Sequence, residues 1–508
     1  MQLALNWFDT CSRFHQKRCG LTSSSLPTRV LDVGKSNELG DVNTIQLIAT
    51  DEKQAQYVVL SHCWGPPEDA ARVKTTTTKS LPTHSVGIRV EELPRNFQDA
   101  IVVTRNLNIR YLWIDSLCII QDLASDWDEE AGKMGDYYER AAITISALCS
   151  PSSHTGFLRN RWLSNSRLDF RLENYENMNI RKASSPFGSE VGNRVPLWKR
   201  AWVVQERCLS SRILHFGPEQ MYWECRQCFV HEDGRRLIRS SDGARMGPGC
   251  FLPTGNRLVE KSYVRWYQLI AAYSKRALSR EDDRLPALGG IVVRFQKLIK
   301  SDYLAGIWKD DIIRGLLWCR KNDGPHRRVS QQRKKHLAQK IEIASSQRGL
   351  NSSRKLPSWS WAAIGSPVVW APMLAAGRLS TDCKIIEARV TPQGPIHLGR
   401  VTEASIQLCG FLMQSSLMTF TTHLGPHGQL TKFENDSIYT SMDGAGSDIT
   451  EAHFLYMAND TRTYYWLTLT QCTSGDQLSY KRVGILYANK AEHGHLLKDA
   501  EQTLVTIV

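Results

Sequence analysis

The sequence predicts an α/β fold with a parallel sheet flanked by helices, followed by a helical region and a β-rich C-terminal part. Three observations support this prediction. Apolar runs alternate with amphipathic segments between residues 57 and 148, which is typical of a helix-covered parallel sheet. Helical periodicity dominates from about residue 240 to 325. Runs rich in β-branched and aromatic residues, separated by turn residues, follow residue 357.

Three apolar runs are the expected strands of the parallel sheet. They are "YVVLS" (57–61), "RYLWI" (110–114) and "AITISAL" (142–148). The segments between them include "LPRNFQDAIVVTRNLN" and "SDWDEEAGKMGDYYERA", which carry apolar residues at helical spacing. We expect Asn108 to close the first of these helices in the left-handed conformation, which Asn tolerates better than most residues.

Changes in pattern along the chain predict five segments. A basic tract separates the helical region from the β-rich part. The segments are an N-terminal segment (1–45), a principal α/β domain (46–235), a helical connector region (236–325), a basic linker or insertion (326–356) and a β-rich C-terminal region (357–508).

The composition is that of a globular protein. Hydrophobic residues make up 42% and charged residues 23% of the 508 residues, which suits two or three domain cores. No run approaches the ~20 apolar residues of a membrane span, and the first residues lack a signal-peptide pattern. The 13 cysteines are scattered, many of them in apolar runs, which indicates reduced thiols rather than a disulfide framework. We therefore expect a cytoplasmic protein without a membrane span.

The net charge of +13 arises mainly from one tract. Residues 326–355 hold nine Lys or Arg and one Glu, a net +8. The tract has no aromatic residue that could stack on bases and is rich in Ser and Gln, so it is typical of a solvated linker. We expect it to be exposed and poorly ordered, and we expect no nucleic-acid partner.

Glu130 is an acidic residue whose position needs an explanation. Ser125 or Asp126 is expected to cap its helix, so Glu130 is not needed for capping. It lies three residues after Trp127 and four before Met134, on their apolar face. Two interpretations remain open. Glu130 reaches solvent or pairs with an arginine, or it is a functional carboxylate that faces the crevice at the C-terminal ends of the strands.

Other candidate groups near the strand ends give weaker signals. Asp115 follows a strand, where it either caps the next turn or faces a ligand. Ser61, His62 and Cys63 are adjacent in sequence, so their side chains point in different directions, which disfavours a catalytic triad.

Two further groups lie later in the chain. Cys225, Cys228 and His231 form half of a zinc-binding pattern, but no second pair of cysteines follows at suitable spacing. We therefore expect no metal site. Gln205 and Glu206 lie between apolar residues, and we expect them to form a buried, hydrogen-bonded pair.

Three blocks of the sequence resemble a known family. They are "YVVLSHCWG", the stretch from "LPRNFQDAIV" to "AITISAL", and "RAWVVQERCLSSRILHFG", and they span residues 57–217. Together they closely resemble the signature blocks of the fungal heterokaryon incompatibility (HET) domain, although Asn108 stands where that family commonly has Gly. The resemblance implies non-self recognition and programmed cell death signalling in a filamentous fungus, through an incompatibility partner protein or self-association.

The HET family has been likened to the Toll-interleukin receptor (TIR) fold, in which a Trp and then a Glu open the helix after the third strand. Enzymatically active TIR domains use that Glu to cleave NAD. The resemblance therefore implies Glu130 as the candidate catalytic residue, although Trp127 precedes it by three residues where TIR domains usually show four. Ser61, Trp64, Asp115 and Trp127 are the candidate ligand-binding residues. NAD would be a substrate, no cofactor is expected, and the alternative is a non-catalytic signalling module.

Overall fold

The computed structural model divides into two compact units. The first comprises Met1–Asn256, Arg276–Ser279 and Ala287–Arg294, and the second comprises Arg257–Lys275, Arg280–Pro286 and Phe295–Val508. The described residues are 1–20, 23–34, 43–159, 168–169, 179–180, 195–238, 247–249, 258–321, 356–370, 379–394, 399–416, 438–442, 451–474, 477–490, 497 and 500–508. The predicted exposure of the basic tract 326–355 concerns residues outside these ranges.

The helices that the structure describes are mostly short. The α-helices are α1 (Gln2–Phe14), α2 (Gln16–Cys19), α3 (Pro67–Ala70), α4 (Leu81–Val86), α5 (Arg95–Asn106), α6 (Asp115–Cys118), α7 (Ala124–Arg140), α8 (Trp202–Leu209), α9 (Leu258–Tyr273), α10 (Gly289–Ile299) and α11 (Ile312–Gly315). Single 3-10 turns are Val90–Glu92, Leu197–Lys199, Glu281–Arg284, Pro286–Leu288, Lys309–Asp311 and Trp361–Ile364.

The strands of the first unit precede residue 239. They are β1 (Ser24–Ser25), β2 (Arg29–Asp32), β3 (Thr44–Ala49), β4 (Gln54–Ala55), β5 (Tyr57–Ser61), β6 (Ile88–Arg89), β7 (Tyr111–Trp113), β8 (Ile143–Ser146), β9 (Leu168–Asp169), β10 (Asn179–Ile180), β11 (Arg212–Phe216), β12 (Met221–Cys225), β13 (Cys228–His231) and β14 (Arg236–Ile238). Two small antiparallel pairs, β1 with β4 and β9 with β10, stand apart from the main sheet.

One large sheet dominates the first unit, in the strand order β14-β13-β12-β11-β8-β5-β7-β2-β3-β6. Its central strands β11, β8, β5 and β7 are parallel, and Val59 of β5 lies opposite both Trp113 and Thr144. All residues of β5, β7 and β8 are buried, as expected for strands covered on both faces. The prediction that these three apolar runs lie parallel in one sheet is confirmed.

The sheet as a whole is mixed, so the expected parallel sheet is confirmed only at this centre. β2 pairs antiparallel with β7 and β3, and β11 to β14 form an antiparallel meander. Only residues 217–220 connect β11 to β12. A parallel crossover needs a dozen or more residues, so this short connection forces the chain to turn back on itself.

The start of α7 differs from its expected capping. The helix begins at Ala124, and no side-chain cap closes its N-terminus, so the expected caps Ser125 and Asp126 lie inside its first turn. Asp126 instead accepts hydrogen bonds from the backbone N–H of Ile120 (2.8 Å) and from the Arg29 guanidinium (2.6 Å). The capping expectation is therefore wrong, because these two donors hold the Asp126 carboxylate.

The end of α5 agrees with the sequence. The helix finishes at Asn106, and Asn108 follows with a φ of 57°. This confirms that Asn108 takes the left-handed conformation, in the place where such a residue commonly ends a helix.

The second unit contains the β-rich C-terminal part. Its strands are β15 (Tyr303–Leu304), β16 (Ile307–Trp308), β17 (Trp318–Arg320), β18 (Val368–Trp370), β19 (Lys384–Pro392), β20 (Val401–Ser416), β21 (Ile438–Met442), β22 (Glu451–Asn459), β23 (Thr463–Ser474), β24 (Gln477–Asn489) and β25 (Glu501–Ile507). The largest sheet has the order β19-β20-β22-β23-β24-β21, and β25 pairs with β20 and β24. The predicted β-rich C-terminal part is confirmed. Within the described residues, no helix has the length and apolar character needed to span a membrane.

Candidate functional site

A buried hydrogen-bonded group lies at the C-terminal end of β5. Ser61, the last residue of β5, donates its hydroxyl hydrogen to the Glu206 carboxylate on α8. The Tyr138 hydroxyl on α7 lies 3.4 Å from the Leu60 carbonyl oxygen and also interacts with this carboxylate, whose pKa it lowers. Ser61, Tyr138 and Glu206 are all buried. Three elements that are distant in sequence therefore converge on one acidic side chain.

Burial has the largest effect on the pKa of Glu206. It raises the pKa of the carboxyl to about 7, against the lowering effects of the Arg200 charge and of the hydrogen bonds from Ser61 and Tyr138. The negative charge of Asp115 raises it further. A carboxyl with a pKa near neutral can both hold and release a proton under physiological conditions, which is a common property of functional acids and bases.

Trp64 and Asp115 form a partly exposed rim beside this group. The Trp64 Nε1–H donates a hydrogen bond to Asp115 Oδ2 (3.2 Å), and Asp115 Oδ1 accepts a hydrogen bond from the backbone N–H of Ser116 (2.7 Å). β5 and β7 are neighbouring parallel strands, so Ser61 and Asp115 lie at the same edge of the sheet, the usual ligand position in open α/β sheets. The structure thus brings together three predicted site residues, Ser61, Trp64 and Asp115.

The residues after Ser61 do not form a nucleophilic pair. Burial raises the pKa of the Cys63 thiol to about 11, which leaves little reactive thiolate at neutral pH. Burial also lowers the pKa of His62 to about 4, and its Nε2 has no hydrogen-bond partner among the described residues. The His62 carbonyl oxygen accepts a hydrogen bond from Arg200. His62 therefore stays neutral, and its backbone helps to position Arg200.

Trp127 approaches the helix that carries Glu206. Its ring meets the Trp202 ring edge to face, with the centroids 6.4 Å apart, and Trp202 is the first residue of α8. Both indoles are partly exposed. Trp127 therefore contacts α8 one turn before Glu206.

Glu130 has a different set of partners. Its side chain is 1% exposed, and its carboxylate accepts hydrogen bonds from the Tyr137 hydroxyl (2.9 Å) and the Lys133 ammonium (3.4 Å). The Tyr137 hydroxyl also lies 3.0 Å from Thr28 Oγ1, just before β2. These partners are distinct from Ser61, Tyr138 and Arg200. The catalytic role of Glu130 stays a prediction.

Two members of the Glu206 group were not identified from the sequence, Tyr138 and Arg200. Tyr138 belongs to the apolar stripe of its helix, where a hydroxyl gives no sign of its partner. Arg200 lies two residues before α8, in a block of the sequence where an exposed surface charge is equally plausible. The signal that could have found them is the acid Glu206 inside an apolar helix, which requires buried donors.

An open cavity of about 380 Å³ lies elsewhere in the first unit. It includes none of the residues around Glu206. Its lining residues are Lys74, Thr77, Lys79, Ser80, Thr83, His84, Gly87, Ile88 and Glu92.

The comparison with protein families agrees with the position of this site. Residues 57–206 match the family model described as Heterokaryon incompatibility protein (HET). No curated protein and no solved structure matches the chain. The matched segment begins with β5 and ends at Glu206, so it contains Ser61, Trp64, Asp115 and Tyr138. The chain therefore contains a domain of the heterokaryon incompatibility family over residues 57–206.

Proposed function

We propose that this chain acts in non-self recognition and programmed cell death signalling in the cytoplasm of a filamentous fungus, through its HET domain. The observation that carries the proposal is the family match over residues 57–206. A fold alone does not fix an activity, so the proposal also relies on the group around Glu206. That group lies inside the matched segment, at the edge of the sheet where α/β proteins bind ligands.

The Trp64–Asp115 rim is the proposed contact surface for the ligand or partner that triggers signalling. Trp64 offers an aromatic face and Asp115 offers carboxylate oxygens, and both are partly exposed. Glu206 lies behind this rim with a pKa of about 7. Binding that changes the charge near Asp115 would therefore change the protonation of Glu206, because the two carboxylates interact.

Induced expression in a filamentous fungus tests this role. The parent chain is expected to arrest growth and kill hyphae, whereas Trp64→Ala and Asp115→Asn are expected to abolish killing at equal protein levels. Glu129→Gln is the matched control, because Glu129 is 66% exposed and pairs with Lys133 on the same helix. Killing by both rim variants at the level of the parent would contradict the proposal.

A second candidate function is cleavage of NAD, favoured by two carboxyl groups at one sheet edge. Breaking the bond between nicotinamide and ribose develops positive charge on the sugar, which a carboxylate stabilises. Asp115, at the rim, would do this, and Glu206 would accept the proton of the attacking water at neutral pH. Glu130, implied by the likeness to TIR domains, is the alternative carboxylate.

An assay of the purified full-length protein with NAD distinguishes the two functions. Incubation with NAD should release nicotinamide if the chain is an enzyme, and Asp115→Asn should then lose this activity while Glu129→Gln keeps it. Absence of nicotinamide release from a chain that kills hyphae would exclude NAD cleavage as the mechanism and leave the signalling role intact.

A further inference from the structure

Four potential metal ligands converge near the N-terminus, outside the HET-matched residues. Cys11 lies on α1, His15 between α1 and α2, Cys19 at the end of α2 and Cys225 at the end of β12. Their sulfur and nitrogen ligand atoms all lie within 4.8 Å of one another. Cys225 Sγ lies 3.6 Å from His15 Nδ1, and the three thiols are within hydrogen-bonding reach of one another.

A break in the N-terminal helix makes this convergence possible. In an uninterrupted α-helix, residues 11 and 19 would lie about 12 Å apart along the axis, too far for one ion. Here α1 stops at Phe14, His15 has non-helical dihedrals (φ −112°, ψ 14°), and α2 restarts at Gln16. The break brings Cys11, His15 and Cys19 around one point, against the end of β12.

The neighbouring Arg212 supplies an independent sign of a bound ion. Its side chain is fully buried, its Nη2 donates to the Gly20 carbonyl oxygen (2.6 Å), and its Nε and Nη1 have no hydrogen-bond partner among the described residues. Its positive charge acts on Cys19. A buried, incompletely paired guanidinium is costly. Three thiolates and a divalent cation would leave one net negative charge beside it, which compensates Arg212.

The hairpin that carries Cys225 adds support for the sulfur ligand. The backbone N–H of Cys228 points at Cys225 Sγ (3.4 Å), and Cys228 Sγ lies 3.7 Å from the same sulfur. Backbone N–H groups directed at a ligating sulfur are outer-shell contacts that stabilise a thiolate.

We propose that Cys11, His15, Cys19 and Cys225 bind a structural zinc ion. A set of three cysteines and one histidine in tetrahedral arrangement is a typical closed zinc site, without the open position that catalysis needs. On binding, each thiol that coordinates as thiolate releases its proton, and His15 coordinates as the neutral imidazole through Nδ1. The ion would fasten α1 and α2 to β12. The local sequence around Cys225 gives no sign of this site, because Cys11 and Cys19 precede Cys225 by about 200 residues.

Metal analysis of the full-length protein, purified without chelators, tests the proposal. We expect about one zinc ion per chain, and we expect Cys19→Ser and Cys225→Ser to lose it. Cys149→Ser is the matched control, because Cys149 is a partly exposed cysteine of the same unit outside the cluster, and it should retain zinc. A parent protein that lacks zinc, or that contains a disulfide between any two cluster cysteines by mass spectrometry, would overturn the proposal.

Cobalt substitution identifies the ligands by their absorption spectrum. The parent protein refilled with Co²⁺ should show the visible bands of a tetrahedral thiolate site, and His15→Cys should keep them with stronger sulfur charge-transfer absorption. If Cys228→Ser abolishes these bands while His15→Ala leaves them unchanged, Cys228 is the fourth ligand and the assignment of His15 is wrong.

Discussion

Two buried glutamates of the HET domain, Glu130 and Glu206, are held in different ways. Glu130 is 1% exposed and has an ammonium and a phenol from its own helix as partners. Glu206 is 5% exposed and is held by a hydroxyl from the end of a central strand and a phenol from another helix. Glu130 thus has the Lys133 ammonium within contact distance. For Glu206, the effect of burial dominates and raises the pKa to about 7.

The two sets of contacts suit different roles, helix packing for Glu130 and proton exchange for Glu206. The contacts of Glu130 fasten one face of α7 to the segment before β2, through Tyr137 and Thr28. The contacts of Glu206 place a protonatable group at the edge of the sheet where α/β proteins usually bind ligands. We therefore propose Glu206 as the first candidate for the functional carboxyl, with Glu130 as the alternative, and the following predictions test that contrast.

The largest expected effect concerns the pH dependence of stability in Glu206→Gln. Folding raises the pKa of Glu206 from its ordinary 4.5 to about 7. A raised carboxyl pKa stabilises the native state fully below the unfolded value, and this stabilisation is lost as the pH rises through the folded value. The loss amounts to about 3 kcal/mol, and Gln, which cannot ionise, avoids it. The variant should gain stability relative to the parent from about pH 5 to about pH 8.

Urea unfolding of both chains across this pH range measures the effect. The titration of His62, whose pKa is lowered to about 4, is common to both chains, so it largely cancels in the difference. Val203→Ala, on the same helix, removes no titratable group and should shift stability by an amount that does not vary with pH. If the difference in unfolding free energy between Glu206→Gln and the parent is also independent of pH, the raised pKa of Glu206 is contradicted.

A smaller effect is expected for Glu130→Ala. The change removes a hydrogen bond from Tyr137, but Tyr137 keeps Thr28 as a partner, and Lys133 keeps Glu129 (2.5 Å). No buried donor is therefore left without a partner, and the free energy of unfolding should fall by about 1 to 2 kcal/mol. Glu129→Ala, at an exposed position, should change it by about 0.5 kcal/mol or less. A loss above about 4 kcal/mol at Glu130 would indicate a larger buried network than these contacts describe.

The smallest effects are expected for substitutions of the two tyrosines of α7, Tyr137 and Tyr138. Tyr138→Phe removes a hydrogen bond that lowers the pKa of Glu206, so the pH at which Glu206 ionises should move upward. Tyr137→Phe removes a contact to Glu130 instead. It should cost about 1 kcal/mol and leave the ionisation of Glu206 unchanged. Infrared difference spectra of the protonated carboxyl band report this pH directly, and equal shifts in both variants would remove the distinction between the two sites.

The parallel centre of the sheet was predictable because its strands are buried on both faces. Such strands appear in sequence as continuous apolar runs, as in β5, β7 and β8. The antiparallel edges were not predictable in the same way. β3, for example, alternates between buried and exposed residues, and its pairing with β2 depends on packing that no local pattern specifies.

The candidate site was predictable only in part. Ser61, Trp64 and Asp115 were identified because they follow apolar strands, where ligand crevices form. Glu206 was expected to be buried and hydrogen-bonded, but its partner Ser61 lies 145 residues away. Tertiary packing alone sets such a pair, and with it the raised pKa. The position of Glu130 on an apolar face was visible in the sequence, whereas its Tyr137 and Lys133 contacts became visible only in the folded chain.

Induced expression of Glu206→Gln and Glu130→Gln in the same fungal host tests the contrast between the two glutamates most directly. Both substitutions keep the size of the side chain, so immunoblots should show equal amounts of protein. We predict that Glu206→Gln loses the killing of hyphae, because Gln cannot exchange a proton at this position, and that Glu130→Gln kills as the parent does. Killing by Glu206→Gln together with a harmless, normally folded Glu130→Gln would contradict this account and assign the function to Glu130.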